Sequence, residues 1–188
     1  LVWKKKPIAL HLYSKKNKII MNLKKYLFLL IMISLATSVN SETLDDLDNT
    51  HMYSFYSGTF DTIDKEGDEQ SSLIGLQHKN ENLFRDTILG KFSPVTGGFI
   101  TRKNSLYLYT GIEAEYGINR LKIKPSFAPG YYDAGNGKKL GSELEFKSEI
   151  KLDFKIFDNT QIGYSYSHIS NNDWGKINPG VNNSTFSL

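Results

Sequence analysis

The sequence contains no cysteine, which excludes a disulfide framework and any zinc site built on thiolates. Beyond residue 41 it has no apolar run approaching the roughly 20 residues that a membrane helix needs. Any membrane residence of that part would therefore have to be as a closed barrel, whose backbone groups are all paired between strands. Helical periodicity is also missing after residue 50. Acidic residues are absent from the first 41 positions, which hold eight lysines and no arginine.

That asymmetry governs the charge argument. The whole chain carries +3, but 15 of its 23 basic residues and all 20 acidic ones lie after Ser41, giving that part a net of −5. The basic balance belongs to the leader and gives no argument for binding nucleic acid. Within the leader, Lys24 and Lys25 precede the apolar run Tyr26–Ile33, and a small-residue exit follows through Ser41. This order predicts a secretory signal peptide over 21–41, cut near Ser41–Glu42. The run is short for a membrane anchor. Residues 1–20 lack a starting Met, and a signal peptide works at the N-terminus, so they are expected to be a non-native upstream extension rather than a basic arm. One domain is expected over 42–188.

What is present after residue 50 is alternation of period two. Glu143, Glu145, Lys147, Glu149, Lys151, Asp153 and Lys155 alternate with Leu144, Phe146, Ser148, Ile150, Leu152, Phe154 and Ile156. Strand side chains point alternately to opposite faces, so this is one long strand with a charged and an apolar face. Ser105–Tyr116, Leu121–Ala128, Tyr53–Asp61, Ser72–Lys79 and Thr160–Ser170 are further strands, and Phe84–Thr101 is a less regular one. Tight turns are expected at Asn119-Arg120 and Asp158-Asn159, and long polar loops at Asp133–Gly141 and Asn171–Asn183. The pattern fits a soluble sandwich or lipocalin-like barrel with the apolar face inside. It also fits an outer-membrane barrel with the apolar face in lipid and the charges inside, the architecture we favour, although a soluble barrel could expose a fully charged face and alternation alone does not decide. About eight strands would give a lumen filled by side chains rather than a pore.

The densest chemistry lies in Tyr164-Ser165-Tyr166-Ser167-His168-Ile169-Ser170-Asn171. His168 and Ser170 are two apart, so a strand points both to one face, shared with Ile162, Tyr164 and Tyr166. A serine hydroxyl becomes a useful nucleophile when a base removes its proton, and histidine has the resting pKa for that task. A third group must orient the imidazole, and N–H donors must stabilise the oxyanion. Spacing alone supports this weakly, since a histidine at a strand end is more often interfacial.

His168-Ile169-Ser170-Asn171, followed by Asn178-Pro179-Gly180, resembles the signature of the outer-membrane lipid A 3-O-deacylases, the acyloxyacyl hydrolase family. Leu144-Glu145-Phe146-Lys147-Ser148 and Pro125-Ser126-Phe127-Ala128-Pro129-Gly130-Tyr131 are similar to that family too, and the likeness runs from about Tyr53 to Gly180. The resemblance implies an all-β, eight-stranded antiparallel outer-membrane barrel. Its implied activity is hydrolysis of the ester-linked acyl chain at the 3-position of lipid A in lipopolysaccharide. No metal or cofactor is implied, and the partners are lipid A and membrane lipids. It makes Ser170 the nucleophile and His168 the base. Asn171 becomes part of the oxyanion site and Asn178 a supporting residue. Asn182 falls where the family carries an acid. An amide there supplies no charge for an imidazolium, which points to reduced activity or to a non-catalytic barrel, structural or adhesive, that keeps the fold. A soluble periplasmic lipid-binding barrel is the third reading. Only Ser184–Leu188 follow Asn183, against the 9–11 residues of a membrane strand, so the last strand is expected to be short and the barrel open at that edge.

Overall fold

The computed structural model describes residues 51–63, 69–81, 85–88, 90–158 and 160–188. Every described residue belongs to one compact unit, Asp45–Leu188. The expected upstream extension and signal peptide lie outside the described residues.

Among the described residues, nine strands follow in chain order: β1 (His51–Phe60), β2 (Ser71–Asn80), β3 (Arg85–Thr87), β4 (Gly90–Thr101), β5 (Leu106–Ile118), β6 (Leu121–Asp133), β7 (Leu144–Phe157), β8 (Thr160–Ser170) and β9 (Val181–Ser187). All pairings are antiparallel between neighbours. β2 also pairs with β4, and β1 with β9, so eight strands form a closed barrel, with three-residue β3 as a short addition against β4. The less regular Phe84–Thr101 segment thus resolves into β3 and β4. Gly97 and Gly98 interrupt the side-chain alternation there without interrupting the ladder.

The barrel is closed where an open edge was expected. β9 is only seven residues long, yet seven register pairs join it to β8 and four join it to β1. Reciprocal backbone bonds between Phe55 and Leu188 (3.0 and 2.9 Å) extend the seam. The loop expected to reach Asn183 ends at Gly180, because Asn182 and Asn183 take strand positions. Asn183 points inward and accepts a 3.2 Å bond from the Asp61 amide, a long-range contact that no local pattern announces.

The alternation on β7 has its charged face inside. Glu145, Lys147, Lys151 and Asp153 are buried, while Ile150, Leu152 and Phe154 are exposed. Charges removed from water are costly unless paired. They are paired here: Lys124 with Asp153 (2.7 Å), Lys79 with Glu115 (3.0 Å) and Glu113 (3.3 Å), Lys147 with Glu149 (3.3 Å).

This ionic half lies toward the turn at 119–120 and the C-terminal end of β7. The other half of the lumen, toward the long loops, is aromatic. Phe60, Phe99, Tyr107, Tyr109 and Tyr132 are buried with Leu73, Ala128, Leu140, Ile169 and Val181 in one cluster. Glycines make the room. A Cβ at Gly75 would stand 2.3 Å from Cζ of Tyr56, at Gly97 2.7 Å from Oη of Tyr109, and at Gly130 2.6 Å from Cζ of Tyr107. The phenol groups reach acceptors: Tyr107 donates to the Ala128 carbonyl (3.0 Å), Tyr109 to Gln77 Oε1 (2.9 Å) and Tyr56 to the Gly98 carbonyl (3.0 Å). A cavity beside Tyr56 and Tyr109 has about 10 Å³, near the limit for one water.

Candidate active site

β8 alternates as its sequence demands. Gly163, Ser165, Ser167 and Ile169 are buried, Ile162, Tyr164, Tyr166 and His168 are exposed on the outer surface, and Ser170 is half-buried at the end of that face. His168 and Ser170 therefore stand outside the barrel, at its long-loop end. Register places Asn182 of β9 opposite His168, with Ser148 of β7 on its other side. The structure brings His168 and Asn182 into contact: Nδ1 lies 2.9 Å from Asn182 Oδ1. With the amide oxygen accepting, Nδ1 carries the proton and Nε2 is left with its lone pair on the side away from Asn182.

Two further features fix the imidazole. Gly180 adopts φ +61, and a Cβ there would stand 2.8 Å from Cε1 of His168 and 3.2 Å from Nε2. Glycine takes this left-handed conformation freely and leaves space for the ring. The Thr62 amide donates a 2.7 Å bond to the Asn182 carbonyl, so the residues just after β1 hold the start of β9 in place. Neither Thr62 nor the role of Gly180 was visible from local pattern.

Asn171 is fully buried and works as a knot. Its side-chain amide donates to the carbonyls of Leu140 (2.7 Å) and Ile177 (2.9 Å) and to Glu145 Oε1 (3.3 Å). Its backbone amide donates to Asn178 Oδ1 (3.1 Å), and its carbonyl closes a turn with the Trp174 amide (3.0 Å). Asn172 (φ 53) and Asp173 (φ 58) make this turn left-handed at two successive non-glycine residues, a strained arrangement held by the knot. Asn178 Nδ2 in turn donates to Asp173 Oδ1 (3.0 Å). The amide hydrogens of Asn171 thus serve acceptors in the 134–143 and 171–180 loops, binding the two loops together beside Ser170. Glu145, at the base of this knot, is in the sequence one member of a charged row and of the family-like segment 144–148, with nothing local to assign it a place beside the site.

Below His168 an apolar groove of about 570 Å³ runs along the outer surface between β7 and β8. Ser148, Ile150 and Leu152 line one wall and His168, Tyr166 and Tyr164 the other, in cross-strand pairs. From His168 to Tyr164 it extends roughly 14 Å at the usual rise per strand residue. Pro125 of β6 broadens its floor. The arrangement sets a polar pair at the head of a greasy furrow, which suits an ester with a long acyl tail.

The family model for lipid A 3-O-deacylase (PagL) matches residues 59–188, more than half of the chain. The chain belongs to the lipid A 3-O-deacylase family. His168, Ser170, Asn171, Asn178 and Asn182 all fall inside the matched segment. The crystal structure of the outer membrane enzyme PagL is similar at a TM-score of 0.56 and 16% identity, over 72% of this chain and 95% of that one, which establishes the shared outer-membrane barrel fold. The Yersinia pestis outer membrane protein Ail, determined in a phospholipid bilayer nanodisc, aligns at a TM-score of 0.42 and 15% identity, over 72% of this chain and 98% of that one. No curated protein matches the chain. Among the described residues of this deacylase-family barrel, no group of three or more His, Cys, Asp or Glu side chains is placed to hold a metal ion.

Proposed function

We propose that the protein is an outer-membrane esterase that removes the 3-O-linked acyl chain from lipid A by a Ser170/His168 mechanism, with lipopolysaccharide and membrane lipids as its partners. The observation that carries this reading is the outward-facing His168–Asn182 contact beside Ser170, at the head of the apolar groove. In the proposed reaction, Ser170 Oγ attacks the ester carbonyl while its proton passes to His168 Nε2. The tetrahedral intermediate collapses, and His168 returns the proton to the departing sugar oxygen. Water, deprotonated by the same imidazole, then releases the fatty acid from Ser170. Asn171 and Asn178 support the turn after Ser170, whose remaining backbone amides would donate to the developing oxyanion.

Asn182 takes the orienting position that a carboxylate usually holds. An amide oxygen can still fix the imidazole tautomer, as the Cys-His-Asn proteases illustrate. What it lacks is charge to stabilise the imidazolium. Asn182→Glu is therefore expected to raise the rate, by an amount bounded by the about 10⁴-fold effect of the reverse change in a serine protease.

Mass spectrometry of lipid A from outer membranes carrying the protein tests this reading. Loss of one ester-linked acyl chain in wild type, and not in Ser170→Ala, is the expected result. An intact lipid A pool with wild type and with Asn182→Glu, both folded in the membrane, would leave a non-catalytic barrel.

A further inference from the structure

We propose that a second, polar cleft at the long-loop end of the barrel binds a sugar ring of the glycolipid headgroup, a subsite that rests on the deacylase reading and deepens it. The cleft has a volume of about 390 Å³ and lies between the end of β6 and the 134–143 loop. Tyr131, Asp133, Lys139, Ser142 and Glu143 line it. Of these, Tyr131, Asp133, Lys139 and Glu143 are exposed.

This mixture of groups selects the class of ligand. Two carboxylates in one cleft disfavour an isolated anion, and the charged groups disfavour an acyl chain. A hydroxyl-rich ring satisfies all of them: carboxylates accept its O–H groups, the Lys139 ammonium donates to its oxygens, and its C–H face packs against the Tyr131 ring. Convergent polar groups beside an aromatic surface are the usual way such sites fix orientation.

Position links the cleft to the ester site. Tyr131 pairs with Leu144 on β7, and Phe146, two residues further along β7, pairs with Ser170. On ideal sheet spacing, this sets the Cα atoms of Tyr131 and Ser170 roughly 12 Å apart on the outer surface. The inner wall of the cleft is also tied to the site's own loop, since Leu140 accepts from Asn171 (2.7 Å) and Gly141 from the Lys176 amide (3.4 Å). A ligand whose ester sits at Ser170 and whose acyl tail follows the β7–β8 groove can thus rest its sugar portion on the β6 side of the same site.

The test uses the full chain in detergent micelles with two substrates, lipid A and the sugar-free ester p-nitrophenyl decanoate. Tyr131→Ala and the pair Asp133→Asn/Glu143→Gln are expected to raise KM for lipid A about tenfold, as loss of one good contact does, with kcat/KM for the sugar-free ester unchanged. Equal losses on both substrates, or no loss on either, would overturn the subsite. A binding arm separates the two readings: lipid A affinity is measured for Ser170→Ala with and without Tyr131→Ala. Tyr131-dependent binding without hydrolysis by wild type would keep the cleft and remove the deacylase. Hydrolysis with binding indifferent to Tyr131 would do the reverse, and absence of both would remove both.

Discussion

The two halves of the lumen are filled by opposite means. Toward the turn at 119–120, Lys79, Glu113, Glu115, Lys122, Lys124, Lys151 and Asp153 form a continuous ionic web. Toward the long loops, aromatic rings lie across glycines, and the buried charges are few: Glu145 held by an amide, Asp61 by Lys138, and Lys147 over the Tyr109 ring. The active-site candidates all belong to the second half. Paired charges tolerate no vacancy, because removing one partner strands the other. Rings and amides hold loop backbone at fixed positions, as positioning a nucleophile and a base requires. The comparison suggests that the ionic half chiefly stabilises the barrel and the aromatic half chiefly sets the geometry of the site.

The sharpest way to break that division is to unpair the ionic half. Lys124→Met leaves Asp153 buried without its 2.7 Å partner and is expected to cost about 3–5 kcal/mol of stability, read as a lowered denaturant midpoint in lipid vesicles. Adding Asp153→Leu should restore most of it, and the protein that does fold should deacylate at the wild-type rate. A selective fall in kcat would contradict the division. On the other side, Gly180→Ala presses a methyl group against His168 and is expected to lower kcat about 10²-fold, the usual result of a displacement near 1 Å, with a smaller effect on the midpoint. A midpoint that collapses while kcat survives would mean that Gly180 serves the fold alone. The gentlest probe is Tyr132→Phe, which removes the 2.7 Å bond to the Lys138 carbonyl beneath the 134–143 loop. A loss of about 1 kcal/mol is expected, together with faster amide exchange in that loop.

Much of the barrel was legible in the sequence because alternation is local. Thr160–Ser170 occupies the strand that its pattern marks, and Glu143–Phe157 differs from β7 by one residue. The choice of which face turns inward was not local, since alternation reads the same either way. Closure decides it: the lumen takes the charged rows, where Lys and Glu from different strands can meet. The last strand misled for a related reason. Val181–Ser187 is short and polar, and its stability comes from β1 and Asp61, more than 100 residues earlier in the chain. At the site, the outward pairing of His168 with Ser170 followed from their spacing. The contact with Asn182 needed the β8–β9 register, and the knot around Asn171 needed Leu140, 31 residues away.

The tyrosines lying over Gly75, Gly97 and Gly130 carry a consequence for the cell envelope. With room for scarcely one water beside Tyr56 and Tyr109, the lumen is closed to ions and small solutes at that level. Many copies could be inserted without adding to the leak conductance of the membrane. A barrel plugged in this way leaves the permeability barrier of its membrane intact, and what it offers to its surroundings lies on its outer surface.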